Sequence, residues 1–95
     1  MATTNVKVQL QKAMEMKDTV QEFAAILTQR MDNLSDMLNG FVRCGFPEDI
    51  AKTYHMNYYA PDYEIISDLN KKMLSEHVDF LDRVIGDLSR AAELQ

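Results

Sequence analysis

Apolar residues recur along the first part of the chain in alternating steps of three and four. Positions 10, 13, 17, 20, 24, 27, 31, 34, 38 and 41 read Leu, Ala, Lys, Val, Ala, Leu, Met, Leu, Leu and Phe, and Val6 extends the series backwards. Only Lys17 is not apolar. A heptad series held this long predicts a long amphipathic helix with the seam of a coiled coil or bundle. A flanking row of Met16, Phe23 and Met37, broken by Arg30, makes the apolar face wider than a two-stranded seam. Wide faces suit helices with neighbours on two sides. Thr3, Thr4 and Asn5 are N-cap residue types. Asn39-Gly40 offers a left-handed close. The helix is therefore placed at about 6–39, roughly 50 Å long.

Residues 41–46 read as a connector. Pro47 fits the first position of a second helix, with Glu48 and Asp49 favourable to its N-terminal dipole. Ile50, Ala51, Tyr54 and Tyr58 share its predicted inner face. This helix is given the range 47–58, because the residue before Pro61 disfavours helical geometry. Pro61 then opens a third helix, about 61–93, whose apolar residues run from Ile65 to Ala92 as a broad stripe. Ladder pairs Asp68–Lys72, Asp79–Arg83 and Arg83–Asp87 stand at i,i+4. No segment alternates as a strand would. The expected fold is all-α: two long antiparallel helices and a short middle one. The middle helix covers one end only, and large apolar patches are uncommon on monomers. The expectation is therefore a four-helix-bundle-like dimer, or a complex with another helical chain.

Composition narrows the function. The 95 residues make a single domain, 1–95, near the lower size limit for a self-sufficient core. Cys44 is the one cysteine, so no disulfide can form within the chain. A lone cysteine fits a reducing compartment. The longest fully apolar run, Phe23 to Leu27, is far short of the ~20 residues that cross a bilayer. The expected location is cytoplasmic, although a protein exported folded without a cleaved peptide reads the same. Ten Lys and Arg oppose fifteen Asp and Glu, a formal charge of −5. That balance argues against nucleic acid and favours a basic partner if the partner is charged.

The candidate chemistry is sparse. His77 falls between Leu74 and Leu81 on the expected inner side of the last helix. It reads as a core or boundary histidine or as a pH switch. Cys44 and His55 share the connector region, but no third group orients them as a nucleophile and base. A di-iron bundle requires Glu-x-x-His, which is missing. No catalytic, cofactor or metal residue is assigned. Lys17 in the seam can lay its stem along the core and reach water with its ammonium, or fix register. The methionines read as core filling or as a mouldable surface. Candidate self-association residues are Leu10, Val20, Phe23, Leu27, Met31, Leu34 and Leu38. Candidate partner-binding residues are Tyr54, Tyr58, Tyr59 and Tyr63, with Tyr59 expected to be the most exposed. These tyrosines read equally as a binding surface or as the boundary that closes the bundle.

In length and helix–turn–helix plan the chain resembles the Trp-x-Gly helical-hairpin proteins of type VII secretion. That resemblance implies dimerisation and export without a cleaved signal. The turn here reads Asn39-Gly40-Phe41 and the chain has no tryptophan, so only the architecture corresponds. Tyr58-Tyr59 followed by Pro61-Asp62 resembles the paired-tyrosine segment of colicin-type immunity proteins, which implies an acidic inhibitor. The first expectation is a non-catalytic interaction module, an adaptor or assembly subunit. The alternative is an acidic immunity or antitoxin-type inhibitor of a basic protein.

Overall fold

A computed structural model describes residues 2–94, with side chains described from Asn5 onward. Every element among these residues is helical. The first, α1 (Ala2–Arg43), is followed after a short turn by α2 (Glu48–Tyr54). A π-helical turn (His55–Tyr59) leads into α3 (Ala60–Lys72). A second π turn (Met73–His77) leads into α4 (Val78–Glu93). The all-α expectation holds, with one long helix and a second helical run joined through two π turns. The expected starting caps Thr3 and Thr4 lie outside the described side chains, and α1 already includes their backbone.

The first helix does not stop at Gly40. It continues to Arg43, and Gly45 takes the left-handed conformation at φ 97°. Phe46 N–H donates to Phe41 O at 2.9 Å and Gly45 N–H to Val42 O at 3.1 Å, the two bonds of a Schellman close. The Phe41 and Phe46 rings, 6.0 Å apart, supply the apolar contact that accompanies it. That contact explains the choice of glycine. Counting back from Gly40, the residue equivalent to Phe41 is Asp36, which gives Phe41 no apolar partner at a close there. The expected connector 41–46 therefore shrinks to the residues between Arg43 and Glu48. Pro47 is the N-cap residue of α2, not its first helical residue. Its φ of −58° and ψ of 126° are extended, and its carbonyl accepts the Ala51 N–H at 3.1 Å.

The expected break before Pro61 does not occur. Ala60 is helical, with φ −65° and ψ −43°, and its N–H donates to His55 O, five residues back. The π turn resets the hydrogen-bond register immediately before the proline. Pro61 then falls in the first turn of a new α-helical register, where a missing N–H is tolerated. The separate helices expected at 47–58 and 61–93 are thus one helical run.

Two compact units divide the chain: 1–24 with 72–95, and 25–71. In the first unit the buried apolar residues are Ala13, Ala24, Met73, Val78 and Leu81, while Leu10 and Val20 are half-buried. Lys17 carries its ammonium to 2.7 Å from the Asp82 carboxylate, with about a third of its side chain exposed. The polar seam position thus ends in an ion pair between α1 and α4. Asp79 pairs with Arg83 at 3.0 Å as expected, whereas Asp87 pairs with Arg90, three residues on, and not with Arg83.

In the second unit Met31, Ala51 and Tyr59 are buried, and Leu27, Leu34 and Leu38 are half-buried. Asn70, a buried polar residue, donates from Nδ2 to Thr28 Oγ1 at 2.8 Å, and Tyr59 donates its hydroxyl to Met31 O at 3.1 Å. As numbers rise along α1 they fall along the facing helix, so the two segments of this unit run antiparallel. The bond to Thr28 satisfies the amide nitrogen of buried Asn70.

Candidate functional site

The tyrosines are organised by the π turn at 55–59. In an α-helix residues four apart lie nearly above one another. Here His55 stacks on Tyr59 with ring centres 5.2 Å apart, and Tyr59 on Tyr63 at 5.8 Å. Tyr54 and Tyr58 form a second pair at 5.9 Å. The expected order of exposure is reversed. Tyr59 is 9% exposed, whereas Tyr58 is 62% exposed, and Tyr54 and Tyr63 are also outside the core. Ile50, expected inside with Tyr54 and Tyr58, is exposed, and only Ala51 of that face is buried. A wheel drawn at 100° per residue cannot anticipate this, because each π turn adds a residue and rotates everything after it. The same rotation moves His77, the last residue of the second π turn, out to solvent.

Two surfaces of the second unit follow from this arrangement. The first is a mixed groove of about 880 Å³ whose lining includes Asp32 and Asp36 of α1, His55, Tyr59 and Tyr63 of the ladder, and Glu64 of α3. A neighbouring pocket of about 580 Å³ shares Asp36 and His55 and adds Arg43, Glu48 and Lys52. Carboxylates outnumber cations along this side, and the stacked rings present π-faces, so its chemistry suits a cationic side chain.

The second surface is an apolar cleft of about 330 Å³ lined by Leu34, Met37, Leu38, Phe41, Phe46, Ile50 and Tyr54. No charged residue lines it. The Schellman close creates it, by folding Phe46 back beside Phe41 at the end of α1. Among the expected self-association residues, Leu34 and Leu38 form its floor and are half-buried. Leu27 is half-buried, and Met31 is buried with its carbonyl accepting the Tyr59 hydroxyl. Phe46 and Ile50, expected in a connector and on an inner helix face, form the rim instead, and both are exposed. The step of five from Phe41 to Phe46 around Gly45 is the signal that marks them.

In the first unit, Leu10 and Val20 are half-buried and Phe23 is 51% exposed. Met16 and Phe80 are similarly uncovered. Cys44 is an exposed free thiol in the turn, and His55 is engaged in the aromatic ladder. Among the described residues no group of three or more His, Cys, Asp or Glu is placed to hold a metal ion. Among the same residues no helix is long and apolar enough to cross a membrane. No family model matches the chain, and comparison with curated proteins and with solved structures finds no match.

Proposed function

We propose that this chain is a non-catalytic helical interaction module, an adaptor or assembly subunit that covers its apolar surfaces with another helical protein. The observation that carries this reading is the uncharged cleft between the end of α1 and α2, rimmed by large exposed apolar side chains. Exposed apolar patches of this kind mark interaction sites on soluble domains. Helical pairing into a four-helix bundle is the arrangement that best uses two antiparallel segments with uncovered flanks.

A polarity-sensitive fluorescent dye, read alongside the mass in solution, tests the proposal. A mass above that of one chain, or dye binding by a single folded chain, is the expected result. A single folded chain that binds no dye rejects the reading.

The mixed groove favours a second reading, an acidic inhibitor that accepts a basic protein. Asp32, Asp36 and Glu64 beside the His55–Tyr59–Tyr63 ladder support it. Binding of a lysine- and arginine-rich probe peptide that weakens steeply with salt and is lost in Asp32→Asn/Asp36→Asn is expected under this reading. Salt-independent binding, or no binding, counts against it.

A further inference from the structure

Resting on the interaction-module reading, we infer that the occupant of the apolar cleft in the second unit is the same cleft of a second copy of this chain, packed about a two-fold axis. A two-fold contact is isologous, so one patch has to supply both protrusion and recess. This patch does. Met37, Phe41 and Ile50 stand more than half exposed around a hollow floored by Leu34 and Leu38. Side chains of the rim can therefore enter the hollow of the opposite copy while its rim enters theirs.

The polarity of the cleft selects a second copy over an unrelated partner. Transient interfaces between unlike proteins are about as polar as ordinary surface, whereas homodimer interfaces are more apolar and their centres are depleted in charge. The lining of this cleft is entirely uncharged in a chain of net charge −5. Four of this unit's seven carboxylates, Asp32, Asp36, Glu48 and Glu64, line the mixed groove and its neighbouring pocket instead. Two like-charged chains can thus meet here without burying a carboxylate.

The test compares full-length chains by sedimentation equilibrium over a dilution series, with circular dichroism as the check on folding. Met37→Glu and Ile50→Glu place a carboxylate in the cleft at exposed helical positions, and Met14→Glu makes the same change at an exposed position of the first unit. Wild type and Met14→Glu are expected to be dimers. Each cleft variant is expected to raise the dimer dissociation constant about 30-fold or more, the effect of a central interface anchor, with unchanged helicity. Added salt is expected to tighten the wild-type dimer, because screening relieves repulsion between the two acidic chains.

A wild-type dimer that both cleft variants leave intact overturns the assignment of this surface while sparing the broader reading. A wild-type monomer whose dye binding is lost in Met37→Glu overturns self-association but leaves an interaction surface for another protein. A monomer that binds no dye overturns both. If a cleft variant loses helicity, a nitroxide on Cys44, exposed in the turn beside Phe41 and Phe46, gives a second readout on otherwise unaltered chains. One narrow intermolecular distance is expected, and absence of dipolar coupling contradicts the inference.

Discussion

The two glycines near the end of α1 provide a sharp test, because the same substitution should have opposite signs at each. Gly45 is at φ 97°, whereas Gly40 has helical backbone geometry inside α1. A methyl built on either glycine meets nothing within 4 Å, so neither effect is confused by a clash. At Gly45 the alanine must adopt a left-handed backbone, at a cost of about 1–2 kcal/mol. At Gly40 alanine removes the excess freedom of glycine in the unfolded chain and should stabilise the helix by about 0.5–1 kcal/mol. The two variants should therefore differ by about 1.5–3 kcal/mol. At about 4–8 °C of Tm per kcal/mol for a domain of this size, that is about 6–24 °C between them. Thermal and urea unfolding should be run at one fixed chain concentration, since association shifts apparent stability. If Gly40→Ala destabilises and Gly45→Ala is neutral, the helix closes at Gly40 and the cleft built on Phe46 does not exist.

Three further outcomes follow from the packing. Tyr59→Phe should cost about 1 kcal/mol through loss of its hydrogen bond to Met31 O, and Tyr58→Phe should stay within about 0.5 kcal/mol, read by urea unfolding. Equal effects at the two positions would contradict the burial of Tyr59. Asn70→Ala should cost about 0.5–1.5 kcal/mol through loss of its hydrogen bond to the exposed Thr28; an unchanged unfolding midpoint would show that this contact does not hold the pair. A double-mutant cycle on Lys17 and Asp82 should give a coupling of about 0.2–1 kcal/mol that shrinks with added salt. A coupling of zero at low salt would mean the pair does not form.

The seam was legible in the sequence because its period matches the geometry of an α-helix. In the first unit Ala13 and Ala24 are buried, and in the second Met31 is, with the intervening seam residues half-buried between them. Even Lys17 could be read as a stem along the core, although its Asp82 partner is remote in sequence and could not. The helix end differs because a glycine followed by an apolar residue, Gly40-Phe41, is half of the pattern. The close is commonly completed by an apolar residue four positions before the glycine, which Gly45 has in Phe41 and Gly40 lacks in Asp36. The inner face of the second helical run was misread for a different reason. Met73 and Val78 are both buried, a step of five that no regular α-helix places on one face, and the π turn between them is what allows it. The turn at 55–59 likewise carries Tyr59 inward and leaves Tyr58 outside. The acidic groove was anticipated only as a charge balance, because the residues that line it come from α1 and from the ladder and are brought together by the fold.

The central claim is that this chain leaves apolar surface for a partner of its own kind, and its mass in solution tests that most directly. Sedimentation equilibrium of the wild-type chain across a dilution series should give twice the 10.9 kDa chain mass, falling toward one chain only at high dilution. A constant single-chain mass at every concentration, with cooperative unfolding, would contradict it.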